Sequence, residues 1–296
     1  MTLATAAGNR SAQAWCRVAA GELLRLQGKY AEAWEQFTQA RAAFEELDDR
    51  TGVAQVLHVG GTLAAQQGDY ATAEARYNAS LRLRQQLRDR DGEARLFSNL
   101  AIIAEYQGDL AAALHLNRRS LAIRRDLGDR ATIANSVNNL GNVLLAQGDY
   151  AAARANLEEA VALQREIGDR WGLANALNNL GNAVRAQADY TEARRLYTES
   201  LTINRALGDR WALAYLLEDM GCLAALEGDA ERSLVLVGAA AALRTVIGAP
   251  LPPADQAKLD RMVAPARAAL GDAAATVTRR GQALALNEAL DFALAR

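Results

Sequence analysis

The 296-residue chain holds four prolines, and none precedes Pro250. Proline breaks helix interiors. The first 249 residues can therefore form unbroken helices, and Pro250, Pro252, Pro253 and Pro265 mark a change of architecture. Cysteine is almost as scarce. Cys16 and Cys222 lie too far apart for a disulfide framework or a cysteine metal site. Their free state predicts a reducing compartment, hence the cytoplasm. Charge of one sign is missing as well, since 33 Lys+Arg face 35 Asp+Glu. No cationic surface of the kind that neutralises phosphates is expected, so nucleic acid is excluded as a direct partner. No apolar run approaches the ~18–20 residues of a membrane helix. Residues 1–11 lack the basic start and apolar core of a signal peptide. Aromatics make up only 5% while apolar residues make up 51%, so alanine carries much of that count. Alanine is the strongest helix former, and an all-α protein follows.

What is present is repetition. Asp-Arg recurs at Asp49-Arg50, Asp89-Arg90, Asp129-Arg130, Asp169-Arg170 and Asp209-Arg210, every forty residues. Midway lie Gly68-Asp69-Tyr70, Gly148-Asp149-Tyr150 and their counterparts, including Ala188-Asp189-Tyr190. Glycine ends a helix in the left-handed conformation, and aspartate accepts from the free N–H groups that begin the next one. Each mark is a helix stop followed by a helix start. Asp189 with Glu192 predicts a capping box. Six repeats result, over 11–50, 51–90, 91–130, 131–170, 171–210 and 211–250, each a helix A and a helix B. Residues 1–10 form an N-terminal extension. A helix pair cannot bury its apolar face alone, so neighbours must stack into a solenoid.

The columns of the repeat name its core. Ala14, Ala54, Ala94, Ala134, Ala174 and Ala214 align in helix A, as do Gly21, Gly61, Ala101, Gly141, Gly181 and Gly221. Helix B supplies Ala33, Ala73, Ala113, Ala153 and Ala193, and a large column of Phe37, Tyr77, Leu157 and Tyr197 that Asn117 interrupts. The arginine of each Asp-Arg pair is expected to brace neighbouring repeats.

This small-large-small pattern resembles the tetratricopeptide repeat. Leu140-Gly141, Leu180-Gly181, Ala153, Ala193 and Tyr197 carry the likeness over residues 11–250, although the usual unit has 34 residues. The forty-residue units with Asn-Leu-Gly-Asn and Leu-Gly-Asp-Arg most resemble the repeats of Pins-type G-protein-signalling modulators. They also resemble the sensor regions of bacterial signal-transduction ATPases of the LuxR type. The resemblance implies a right-handed α-solenoid with helices A lining its concave face. Residues 251–296 leave the period. A helix is expected from about Ala254, kinked or ended by Pro265, and a last one over 283–295. They resemble the C-terminal cap of those bacterial regulators, and a cap is needed to cover the sixth repeat.

No phosphate-binding loop or nucleophile elbow occurs. His58 and His115 lie in different helix types without metal-ligand spacing. No catalytic residue, metal or cofactor is expected, and the chain is not expected to be an enzyme. The informative feature is the polar face of helix A. Helical spacing places Asn135, Asn138, Asn139 and Asn142 on one face of the fourth repeat, and Asn175, Asn178, Asn179 and Asn182 on that of the fifth. Arg95, Ser98 and Asn99 occupy the face in the third repeat, Arg185 extends the fifth, and Tyr215 opens the sixth, followed by Glu218 and Asp219. Asparagine is a poor helix residue, costing roughly 0.5 kcal/mol against alanine. Its amide both donates and accepts, which suits it to hold the backbone of an extended peptide. In the resembled family, asparagines on this face clamp peptide backbones or carboxylates. The amides can instead bond to one another as a structural ladder, and the two roles are compatible.

The leading expectation is a peptide- or protein-binding module in bacterial signalling or regulation. Two alternatives stand beside it. One is a ligand-sensing domain of a larger transcription regulator, which needs a pocket between groove and cap with Tyr106, Trp171, Trp211 or Tyr215 in it. The other is a scaffold that assembles with copies of itself as a homo-oligomer.

Overall fold

The structure is a computed structural model that describes residues 2–295, with side chains from residue 9 to 295. Of the extension expected over 1–10, Met1 and the side chains up to residue 8 lie outside the described residues. The backbone from Thr2 belongs to the first helix. Helices A are α1 (Thr2–Leu26), α3 (Arg50–Gln66), α5 (Arg90–Tyr106), α7 (Arg130–Gln147), α9 (Arg170–Ala186) and α11 (Arg210–Leu226). Helices B are α2 (Tyr30–Glu46), α4 (Tyr70–Gln86), α6 (Leu110–Leu127), α8 (Tyr150–Ile167), α10 (Tyr190–Leu207) and α12 (Ala230–Ile247). No strand occurs among the described residues. None of the described helices is long and apolar enough to cross a membrane.

The turns form as the punctuation predicts. Asp49 accepts from Gly52 N at 2.9 Å, Asp109 from Ala112 N at 2.9 Å and Asp209 from Ala212 N at 3.0 Å. The preceding residue is left-handed, as at Gly148 with φ 84° and Gly208 with φ 71°. Asp48, Arg88 and Ala188 adopt the same conformation without being glycine, at φ 51°, 57° and 63°. The capping box at Asp189 is only half made. Asp189 accepts from Glu192 N at 3.3 Å. The Glu192 carboxylate instead receives Arg195, at 2.8 and 2.6 Å, because a guanidinium one turn on outcompetes a single backbone N–H.

The chain divides into two compact units, residues 1–136 and 137–296, with the boundary inside α7. In the first, successive hairpins α1–α2, α3–α4 and α5–α6 pack on one another. Phe37, Phe44, Tyr77 and Phe97 are buried with Ala14, Ala54 and Ala94, and Phe37, Phe44 and Tyr77 lie over Gly21, Gly52 and Gly61, which have no Cβ to exclude them. Arg50 and Arg90 do not brace neighbours. Arg50 approaches Asp48 of its own turn at 3.8 Å, and Arg90 approaches Glu93 and Asp126 of its own hairpin at 3.5 Å. Short-range acids lie within their reach, and exposed guanidinia gain little by stretching further. Serines make the deeper links: Ser80 Oγ donates to Ala54 O at 2.7 Å and Ser120 Oγ to Ala94 O at 2.8 Å.

In the second unit the same serine link recurs, Ser200 Oγ donating to Ala174 O at 2.7 Å. Beyond α12 come α13 (Pro253–Leu270), a 3-10 turn over Gly271–Ala273, α14 (Ala274–Gln282) and α15 (Leu286–Leu294). Pro265 does not end the helix: α13 continues through it to Leu270. Pro265 lies on the exposed side, where water can meet the carbonyl left without its N–H. The last helix, expected over 283–295, is α15 at Leu286–Leu294, and α14 stands before it. α13 packs on α11 and α12, and α14 and α15 on α12. Val263 and Ala266 bury against Cys222, Leu234 and Val237. Arg232 closes the end of α15 by donating to Ala293 O at 2.7 Å and Ala295 O at 2.8 Å. The three helices thus cap the last repeat.

Candidate binding site

In the first unit the polar helix-A residues do not form one surface. Arg95 pairs with Asp91 on its own helix. Ser98 is 8% exposed and lies inside the hairpin, 2.9 Å from Ser120 Oγ. Ser120 spends its hydrogen on Ala94 O, so Ser98 is the donor between them. Ser98 was expected on the open face, and its short side chain is turned instead toward the nearest acceptor. Asn99 lies 2.8 Å from His58 Nε2. Burial, followed by the charges of Arg84 and Arg95, pushes the His58 pKa down to about 4. The imidazole is therefore neutral near pH 7, and the Asn99 amide donates to its bare nitrogen. Asn135 is exposed at the end of this unit.

In the second unit the predicted residues converge. Asn179 Nδ2 donates to Asn138 Oδ1 and to Asn175 Oδ1, both at 3.0 Å. Asn178 and Asn182 each aim Nδ2 at Asp219 Oδ2, at 3.2 and 3.1 Å. Asn182 Oδ1 accepts from Arg185 Nη2 at 2.7 Å and from Tyr197 Oη at 2.9 Å. Arg185 also faces Asp219 Oδ1 at 3.5 Å. One residue back, Glu218 holds Arg244, whose Nη2 donates to Oε2 at 2.9 Å, and the Arg244 guanidinium stacks over Tyr215 at 4.2 Å. Burial raises the Glu218 pKa and the bond to Arg244 opposes the rise. So part of the asparagine row is a ladder between helices A. Asn139 and Asn142 carry no side-chain hydrogen bond among the described residues.

This network lines a cavity of about 470 Å³. Asn178, Asn179, Asn182, Arg185 and Tyr215 form one wall, and Lys258, Leu259 and Met262 of α13 stand in another. Arg185 Nη1 reaches Met262 Sδ at 4.0 Å. A pocket between groove and cap was expected only for the ligand-sensing alternative, and none of its α13 residues was named, because that segment follows the proline cluster and leaves the forty-residue register by which the other positions align. Asp219 was on the predicted polar face, but its position as the hub of the network emerges only when α9 and α11 stand side by side. A smaller cavity of about 230 Å³ adjoins it, between Trp171, Trp211 and Tyr215 and the amides of Asn175, Asn178 and Asn179.

The tetratricopeptide-repeat family model matches residues 51–126 and 129–206, just over half of the chain. The chain belongs to the tetratricopeptide-repeat family. A search of curated proteins finds no match. Among solved structures, the apo form of RapI is similar with a TM-score of 0.73 at 15% identity, covering 94% of this chain and 97% of that one. A STAND signal-transduction ATPase with a tetratricopeptide-repeat sensor from Pyrococcus horikoshii is similar over 91% of this chain and 44% of its own length, with a TM-score of 0.64 at 13% identity. BtubC from P. vanneervenii is similar over 83% of this chain and 94% of its own, with a TM-score of 0.56 at 21% identity. At these identities the likeness is one of fold. The fold is an all-α solenoid of helix-pair repeats with capping helices, and the class is that of a protein-interaction module.

Proposed function

We propose that the second unit binds an extended peptide or protein segment along the polar face of its helices A. The observation that carries this reading is the cavity of about 470 Å³ walled by Asn178, Asn179, Asn182 and Arg185. Amides offer donors and acceptors to any peptide backbone whatever its side chains. Arg185, held by Asn182 and Asp219, adds a fixed planar donor of the type that receives carboxylates. The unbonded Asn139 and Asn142 continue this surface in the columns of Asn179 and Asn182. No reacting group is part of the proposal. The setting proposed is bacterial and cytoplasmic, in signalling or regulation.

A second reading is favoured by one feature. α13 encloses the cavity on one side, and its volume lies within the roughly 300–1,000 Å³ typical of small-molecule sites. A sensor for a small ligand would use the same residues. Panning a displayed random-dodecapeptide library on the whole chain separates the two. Recovered peptides that protect α9 and α11 amides from hydrogen exchange support the peptide reading. A library that yields no binder contradicts it.

A further inference from the structure

We infer that the cavity between Trp171, Trp211 and Tyr215 is an anchor pocket for one bulky apolar side chain of the bound peptide. The inference rests on the peptide reading above and adds a residue class to it. Trp171 and Trp211 are each 57% exposed although both are large and apolar. Large exposed aromatic surface gathered at one place marks an interaction site more often than chance. Trp211 packs against Tyr215 with centroids 4.6 Å apart, so the rings form a wall rather than scattered groups. Leu216, Ala174 and Ala212 add apolar lining, and the volume of about 230 Å³ suits a single side chain.

Charge chooses the occupant. Asp209 is the one ionisable carboxylate in the lining, and both its oxygens are engaged: Oδ1 accepts from Ala212 N at 3.0 Å and Oδ2 from Trp171 Nε1 at 3.2 Å. It caps α11, whose N-terminal dipole already offsets its charge. The Arg244 guanidinium, paired with Glu218, already covers one face of Tyr215 at 4.2 Å, so that face is not open to a second cation. No basic side chain lines the pocket to receive an anion. An uncharged group is what remains, and the rings with Ala174, Ala212 and Leu216 select an apolar one; the exposed Asn175 on the adjoining wall can bond the backbone beside it. The same Asn178, Asn179 and Tyr215 line the larger cavity, so anchor and backbone row are continuous.

The test follows the four indole N–H signals of the ¹⁵N-labelled full chain, assigned with Trp171→Phe and Trp211→Phe. N-acetyl-phenylalaninamide is titrated in, with N-acetyl-alaninamide and N-acetyl-lysinamide as controls. The expected result is saturable movement of the Trp171 and Trp211 signals in the millimolar range, at least fivefold weaker with either control. Trp15 and Trp34 should stay still. Equal or stronger response to the lysine or alanine amide overturns the assignment, as does no movement at all. If the phenylalanine amide fails while library-selected peptides still bind, the anchor falls and the peptide reading stands. If it binds while the library yields nothing, the pocket stands and the peptide reading falls.

Discussion

Asn178 and Asp219 lie 41 residues apart, on α9 and α11, and the asparagine amide donates to the carboxylate at 3.2 Å. Asn182 and Arg185 converge on the same carboxylate. Asp219→Asn keeps the shape and removes the charge that faces the mostly buried Arg185. A loss of about 1.5–3 kcal/mol in unfolding free energy is expected. In an Arg185→Gln background the same change should cost far less. Urea denaturation of the four proteins measures both quantities, and equal costs in the two backgrounds would deny the coupling.

Ala188 occupies a left-handed position that glycine fills at Gly148 and Gly228. The strain of a Cβ in this conformation is about 1–2 kcal/mol. Ala188→Gly should therefore raise stability by roughly 0.5–1 kcal/mol after the entropy of the unfolded glycine is subtracted. A higher thermal midpoint than wild type checks it.

Gly181 is small because Tyr197 is large. A Cβ on Gly181 would stand 2.5 Å from Tyr197 Cε1. Gly181→Ala should cost about 1–3 kcal/mol through overpacking, and much less in a Tyr197→Ala background. A double-mutant cycle reads the difference.

His58 ties stability to pH. Its folded pKa of about 4 lies below the unfolded 6.5, so between these values the unfolded state binds more protons. Stability is intact above pH 6.5 and falls as pH drops toward 4, by on the order of 2–3 kcal/mol in all. Glu105, pushed up to about 6 by burial, binds its proton in the folded state first and opposes the fall below pH 6. The difference between wild type and His58→Gln isolates the histidine. That difference should shrink as pH is lowered from 7 to 5, in denaturation midpoints taken at each half unit.

Cys16 is exposed and Cys222 is buried, its thiol pushed up to about 11 by burial. A thiol held protonated is a poor nucleophile. Ellman's reagent should titrate one thiol quickly in the native protein and two in guanidinium.

Most of the scaffold was legible in the sequence because each rule acts within one turn of helix. Asp49 and Asp209 cap where spacing places them, and Ala14 and Ala174 bury where the column predicts. The failures have a common cause. Glu192, Arg50, Arg90 and Ser98 each had a competing partner close by, and periodicity does not rank partners. The site was half legible. Helical spacing gathered the asparagines onto one face, and the structure arranges them as two clusters along one cavity: Asn179 with Asn138 and Asn175, and Asn178 with Asn182 on Asp219. Their division between ladder and open surface depends on which helix stands beside which. The wall supplied by α13 depends on a packing that no repeat encodes.

The most direct measurement is calorimetric titration of a library-selected peptide into wild type and into Asn139→Ala/Asn142→Ala. These two amides carry no internal hydrogen bond, so the variant should keep its unfolding midpoint. If the helix-A face holds the peptide backbone, affinity should fall about tenfold, the loss of roughly 1.4 kcal/mol in hydrogen bonds. Unchanged affinity with an unchanged midpoint would contradict binding on this face.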